Sequence, residues 1–497
     1  MSEVNNSSGQ SAAELLSNEL LSFCKSDSLS EEVLRKIIER HTPNEIFPHY
    51  FPDAATAPDE NGLTPLHHAC KNKNATLNII RILIDAAPDC VRSVTHDGWT
   101  PLHILCRNRE LNEETAIQIL KLLIEKQPDA VRHVDNRGFL PIHYASGWRS
   151  PEFCFLLIEA YPGSERMTTT KGALPLHWAC YNSSLATVEY LYSRHCDAIH
   201  HADTTFGFYP IHSAIIGTMS RDIPADAVGV VQFLLNCDPS QKLIQYKGKS
   251  LLRVACGSAM KYNDSTIEAA VQIIKILFDT YPEAIEHRRI ASSIHRRHQK
   301  VQAFINGELV YARQAKDLRL MTTPDDNGRL PLHTALQNNV RLGSIKLLVK
   351  GNPSALQTPE KSFALPLHVA CEHHDSPSVI QYLIELDTAT LDAVDRNGNT
   401  ALHYACRGAK YHNIILLLEK YDAVSVSKRN AQDKLPIELL WESAAVLDRE
   451  SIEYTGSIFR LLKAYPEMIM NGSMKQQITS GEGPSQNGKK RKYGDTT

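Results

Sequence analysis

One short phrase returns ten times along the chain, and its spacing limits the fold more tightly than any other feature. It reads TPLHHAC at 64–70, TPLHILC at 100–106, LPIHYAS at 140–146, LPLHWAC at 174–180 and YPIHSAI at 209–215. It continues as SLLRVAC at 250–256, LPLHTAL at 330–336, LPLHVAC at 365–371, TALHYAC at 400–406 and LPIELLW at 435–441. Its second letter falls at 65, 101, 141, 175, 210, 251, 331, 366, 401 and 436, so the intervals are 36, 40, 34, 35, 41, 80, 35, 35 and 35 residues. A period in this range marks a chain of stacked, self-similar units, each of which buries its apolar faces against its neighbours. The interval of 80 has room for one more unit, and SSIHRRH at 292–298 divides it into 42 and 38. There Arg297 and His298 stand where other units carry Ala and Cys, so this stretch reads as an eroded repeat, with a helical insertion as the alternative.

Within a unit the local chemistry follows a fixed order. A glycine lies three residues before the phrase's second letter, at Gly62, Gly98, Gly138, Gly172, Gly207, Gly248, Gly328 and Gly398, where a tight turn needs positive φ. Proline then suits the first turn of a helix, whose N–H would be unpaired anyway. A second apolar run follows, as in Leu77–Ile84, with the period of an amphipathic helix. A Pro-acidic phrase stops it: Pro88-Asp89, Pro128-Asp129, Pro282-Glu283 and Pro466-Glu467. Each unit therefore reads as turn, helix, turn, helix.

This grammar resembles the ankyrin repeat, whose signature is T-P-L-H-x-A over about 33 residues. The resemblance spans roughly residues 60 to 470, and the LPLHxAC spelling with its helix-stopping proline is similar to the large ankyrin families of diatom genomes. It implies an all-α ankyrin-repeat solenoid of about ten or eleven helix-turn-helix units with short hairpin turns and helical caps. Two features depart from the family pattern. Pro-Asp or Pro-Glu stands where the common unit closes with Gly-Ala-Asp, and Phe363 and Asp433 replace the turn glycine, which predicts two distorted hairpins. The expected organisation is a disordered N-terminus at 1–10, a helical cap or degenerate repeat at 11–58 and a first repeat block at 59–290. The eroded repeat or insertion at 291–323, a second block with C-terminal cap at 324–470 and a disordered basic tail at 471–497 complete it. Helices are expected at Ala13–Cys24 and Ser30–Arg40 in the first cap, and Glu438 and Trp441 replace His and Cys in the last one.

Composition narrows the functional classes. Among 497 residues the net charge is −3, which gives no ground for a polyanionic partner, and direct nucleic-acid binding is not expected. No run of about 18 apolar residues is present, and Met1–Gln10 lacks the pattern of a secretory signal, so the expected location is cytoplasmic or nuclear. The eleven cysteines then read as reduced thiols.

Histidine recurs at His67, His103, His143, His177, His212, His333, His368 and His403, often with Cys three residues on, which is metal-ligand chemistry in principle. Yet each unit offers two ligands where a metal takes about four, and Arg253, Ser146, Ile215 and Leu336 remove one member at a time. The resemblance implies that the imidazoles bond to backbone in the turns and that the cysteines are small core groups. No nucleophile elbow, phosphate loop or zincin motif occurs; Cys371-Glu372-His373-His374 is the one reactive-looking string, and no metal, cofactor or catalytic residue is expected.

In ankyrin proteins partners touch hairpin tips and the end of the first helix, and there this chain carries Trp99, Phe139, Trp148, Tyr181 and Phe208. These rings are the candidate partner site on the concave side. A basic stretch with Arg288, Arg289, Arg296 and Arg297 is a candidate dock for an acidic segment or phosphate, and Lys489, Lys490, Arg491 and Lys492 a candidate nuclear signal. The function expected is that of a non-catalytic protein-interaction scaffold or adaptor; the alternative is a nuclear regulatory protein that tethers a factor and is directed by its basic tail.

Overall fold

The computed structural model describes residues 12–41, 50–218, 224–247, 249–258, 266–286, 299–421, 426–444 and 452–464. The chain divides into two compact units, one formed by Met1–Leu277 with Ser292–Gln302 and the other by Phe278–Ala291 with Ala303–Thr497. The first begins with α1 (Ala12–Lys25), α2 (Glu31–His41) and α3 (Tyr50–Thr56). Helix pairs follow: α4 (Pro65–Lys71) with α5 (Leu77–Ala86), α6 (Pro101–Arg107) with α7 (Glu113–Lys126), and α8 (Pro141–Trp148) with α9 (Pro151–Ala160). Then come α10 (Pro175–Asn182) with α11 (Leu185–Arg194), α12 (Pro210–Gly217) with α13 (Pro224–Cys237), and α14 (Leu251–Ser258) with α15 (Ile267–Thr280). Helices α16 (Gln299–Gln314) and α17 (Leu318–Thr322) lead into the pairs α18 (Pro331–Gln337) with α19 (Leu342–Gly351) and α20 (Pro366–His373) with α21 (Pro377–Leu386). The last pairs are α22 (Ala401–Arg407) with α23 (Tyr411–Leu418) and α24 (Pro436–Ala444) with α25 (Ile452–Ala464). Among the described residues the only strand pair is Gln245–Tyr246 against Lys249–Ser250.

The first helix of a repeat has only seven to nine residues, too short to hold in isolation, and neighbours stabilise it. Proline sits at its first position behind an extended N-cap residue. Its free C-terminal carbonyls are taken by a side chain from the repeat that follows. Asn108 Nδ2 donates to Cys70 O at 3.0 Å, Arg149 Nη2 to Leu105 O at 2.8 Å and Asn413 Nδ2 to His374 O at 2.8 Å. Asn72 Nδ2 does the same for Ser26 O and Cys24 O at the end of α1. Arg149 escapes a sequence reading as a loop cation; its side chain is 1% exposed and pairs with Glu113 at 2.9 Å.

Second helices bury a stripe, as in α5 with Ile79, Ile80, Leu83 and Ile84. The proline after them does more than stop the helix: it opens a 3-10 turn, at Pro88–Arg92, Pro128–Arg132, Pro239–Leu243 and Pro353–Gln357. Successive hairpins join by one backbone bond each, His96 to Asn61 at 3.4 Å, Asn136 to Asp97 at 3.0 Å, Thr170 to Arg137 at 3.2 Å and Thr204 to Lys171 at 2.9 Å. The second unit repeats this from Lys361 to Asn327, Arg396 to Ser362 and Ala431 to Asn397.

The expected distortion at Phe363 and Asp433 is corrected. Their φ values are 66° and 59°, and Phe363 N–H reaches Glu360 O at 2.9 Å just as Gly398 N–H reaches Asp395 O at 3.0 Å. Both side chains accept the left-handed turn, at a conformational cost of roughly 1–2 kcal/mol. At the C-terminal end Glu438 keeps the N-cap half of the role of the histidine it replaces, its Oε2 accepting from Leu435 N at 2.6 Å. Within 291–323 the described part is helical, α16 and α17, and the phrase at 292–298 lies outside the described residues.

First helices approach closely at their C-terminal ends, where a Cβ on Gly217 would sit 1.9 Å from Tyr181 O. Gly217→Ala should therefore destabilise the first unit by about 1–3 kcal/mol. Gly257→Ala, where a Cβ would meet nothing within 4 Å, should be neutral or stabilising. Urea melts of both variants check this, and equal midpoints would contradict it.

Candidate functional site

The recurring histidine is placed by the turn before it and the repeat after it. The N-cap backbone N–H donates to the ring Nδ1: Thr64 to His67 at 3.2 Å, Thr100 to His103 at 3.2 Å, Leu140 to His143 at 3.0 Å and Leu174 to His177 at 3.2 Å. Tyr209, Leu330, Leu365 and Thr400 do the same for His212, His333, His368 and His403. A nitrogen that accepts carries no proton, so the ring proton sits on Nε2. From there it bonds a carbonyl in the next hairpin: Trp99 O from His67 at 3.0 Å, Phe139 O from His103 at 3.1 Å and Phe208 O from His177 at 3.0 Å. His368 reaches Ala393 O at 3.1 Å and His403 reaches Lys434 O at 3.2 Å. Both nitrogens of these five rings are thus committed, which is the role the resemblance implies, whereas Nε2 of His212 and of His333 is buried without a hydrogen-bond partner among the described residues. Among the described residues no group of three or more His, Cys, Asp or Glu is arranged to hold a metal.

The six cysteines of the phrase are fully buried. Burial raises the Cys371 thiol well above its ordinary value, which keeps it from forming a thiolate nucleophile. His374, three residues on, uses Nε2 on Val340 O at 2.8 Å and Nδ1 on Ser376 N at 3.1 Å. These ring and thiol bonds describe architecture.

The aromatic candidates divide into three places. Trp99 meets Tyr144 edge-on at 5.7 Å, Tyr144 stacks on Phe139 at 5.0 Å, Phe139 tilts against Trp178 at 5.1 Å, and Trp178 meets Tyr181 at 6.4 Å. Three of the five candidates therefore join one run of rings across the second to fourth repeats. Two rings absent from the expected set, Tyr144 and Trp178, link them; both stand one residue after the repeat histidine. Phe139 is 7% exposed, which makes it a packing ring, while Trp99 and Tyr181 are half-buried. Trp148 lies apart under the Arg109 guanidinium at 5.2 Å. Phe208 belongs to another cluster, 4.5 Å from Tyr246 and 5.3 Å from Phe206, whose ring is 51% exposed.

Asp135 fixes the run from below. Its carboxylate accepts from Trp99 Nε1 at 2.9 Å, Tyr144 Oη at 2.7 Å, and the Arg137 and Phe139 N–H groups at 2.8 Å. Burial opposes its charge, but these donors outweigh that and hold the carboxyl below the usual range. Arg107 lies over Trp99 at 5.1 Å, and Arg137 over Phe139 at 5.1 Å with Nη2 on Tyr144 Oη at 2.7 Å. The sequence signal for Arg107 was a basic residue ending the first helix in two successive repeats, Lys71 and Arg107. The basic candidates Arg288, Arg289, Arg296 and Arg297, and Lys489, Lys490, Arg491 and Lys492, lie outside the described residues. A separate depression of about 350 Å³ runs along second helices of the second unit, lined by Leu342, Lys346, Tyr382, Glu385 and Leu416.

A stack of helix pairs tied by hairpins, with chemistry-bearing side chains spent on the ties, defines a helical-repeat protein of the interaction-module class. A family model for ankyrin repeats (three copies) matches residues 30–116, 89–166, 113–203 and 340–430, together more than half of the chain. The chain belongs to the ankyrin-repeat family, whose members are generally non-catalytic modules of protein–protein interaction. Among curated proteins none matches it. No described helix is long and apolar enough to cross a membrane.

The buried rings set a pH dependence. Desolvation lowers His67, His103, His143, His177, His212 and His403 from 6.5 to about 4. Between those values the unfolded chain takes up protons that the folded chain refuses. Stability should be complete above pH 6.5 and fall as pH drops toward 4, by up to about 1.4 kcal/mol per pH unit for each ring. The hairpin carboxylates Asp59, Asp135 and Asp395 are held low, so their loss comes at more acid pH. Urea midpoints at about pH 7 and 5 check this; equal midpoints would contradict it.

Proposed function

We propose that the chain is a protein-interaction scaffold or adaptor, without catalysis of its own, that holds a protein partner on the hairpin and first-helix face of its second to fourth repeats. The observation that carries this reading is the run of rings from Trp99 to Tyr181, with Arg107 and Arg137 over it. Trp, Tyr and Arg dominate the energetic centres of protein interfaces. Here they are fixed in advance by Asp135 and by ring contacts, so binding orders few side chains. The buried histidines and cysteines, each engaged or desolvated, leave the surface as the place for function.

The test compares affinity capture by the wild type with capture by Trp99→Ala/Tyr181→Ala, both first shown equally helical and equally stable. A partner lost about tenfold or more from the variant is the expected result. Phe139→Ala should instead lower the melting temperature, because its ring is buried. Identical partners at identical yield on wild type and the double variant would contradict the placement.

A further inference from the structure

Arg107 in the first unit and Arg407 in the second hold the same place in their first helices and are treated in opposite ways. Six residues after the first residue of the helix stand Lys71, Arg107, Glu372 and Arg407 in their respective repeats. In the second unit Arg407 is met by Glu372 one repeat back, with Nε and Nη2 each 2.7 Å from a carboxylate oxygen. Lys410 meets Asp375 at 2.6 Å, and Arg329 meets Glu360 at 2.5 Å. These three basic residues are answered within the fold.

In the first unit the place that Glu372 fills for Arg407 is filled, for Arg107, by Lys71. Both residues are exposed, and neither forms an ion pair among the described residues. Glu60 and Asp97, exposed at the adjacent hairpin tips, pair with neither of them. Arg107 instead lies over Trp99, the first ring of the run, while Arg137, 58% exposed, lies over Phe139 and pairs with Asp135 at 3.8 Å. A guanidinium resting on an indole keeps its rim of donors available for a planar carboxylate. Two adjacent like charges without internal acids, at the edge of an aromatic strip, are complementary to an anionic partner that also carries an apolar side chain.

We propose that this face takes an acidic peptide segment, with carboxylates on Lys71 and Arg107 and an apolar or aromatic side chain on the Trp99–Tyr181 rings. This deepens the reading that the ring run is a docking face and rests on it. A nucleic acid fits less well: the chain's net charge is −3, and the face of Trp99 that a base would stack on is partly covered by Arg107. Charge complementarity of this kind speeds encounter and weakens with salt.

The experiment selects from a random displayed-peptide library on the full-length chain, then measures the selected peptides by fluorescence anisotropy. They are measured against wild type, Lys71→Glu/Arg107→Glu and Trp99→Ala. The expected result is peptides rich in Asp and Glu around an aromatic or leucine. Their affinity should fall about tenfold or more with either variant and decline as salt rises. If the charge-reversed chain melts early, Lys71→Gln/Arg107→Gln replaces it. Neutral peptides that depend on Trp99 but ignore the charge reversal would overturn the acidic preference and leave the docking face standing. Peptides indifferent to all variants, or no selected peptide, would overturn both. A single-stranded oligonucleotide that displaces the peptides and binds more tightly would overturn the choice of partner.

Discussion

The two-nitrogen bridge made by the repeat histidine is the interaction on which the rest of the structure depends. One imidazole closes the start of its own short helix and ties it to the hairpin of the next repeat, as His103 does between Leu140's hairpin and its own Thr100. A seven-residue helix gains little from its own hydrogen bonds, so it exists only where such ties and the apolar contacts beside them hold it. The ring must be neutral and buried to serve both ends, and this removes it from acid–base and metal chemistry at neutral pH. The cysteine three residues on is then a small apolar spacer between first helices, with its thiol raised by burial.

Once first helices are fixed in this way, what varies from repeat to repeat is displayed on a stiff frame. The residue after the repeat histidine is His68, Ile104, Tyr144, Trp178, Ser213, Thr334, Val369 or Tyr404. Where it is Tyr beside a hairpin aspartate, the same bond recurs: Tyr144 to Asp135 at 2.7 Å and Tyr404 to Asp395 at 2.9 Å. His68 to Asp59 at 2.9 Å is a variant of it. A carboxylate that already holds its own hairpin N–H groups therefore also aims a ring. The frame fixes where aromatic residues stand, and the choice of residue decides what the face can bind.

The repeat architecture was legible because phrase and period agree over most of the chain, and the glycine, proline and cap positions each have one physical reason. The candidate site was legible only in part. The position after the turn glycine holds Leu63, Trp99, Phe139, Ala173 and Phe208, and nothing local distinguishes a covered ring from an open one. Phe139 is buried because Tyr144 and Trp178 close over it, and contact across two repeats is not a property of its own neighbourhood in sequence. Arg149 was hidden for the same reason: its partners Leu105 and Glu113 belong to the repeat before. Phe363 and Asp433 misled in the other direction, since a turn set by neighbouring hairpins can hold a side chain that dislikes it.

The most direct test of this account is imidazole nitrogen NMR on protein labelled with ¹⁵N in histidine, recorded near neutral pH with and without added zinc. The repeat histidines should appear as neutral rings protonated at Nε2 and bare at Nδ1, with shifts that zinc leaves in place. Rings protonated at Nδ1, charged rings, or repeat-histidine signals that move on zinc addition would contradict the claim that these side chains are the ties of the stack.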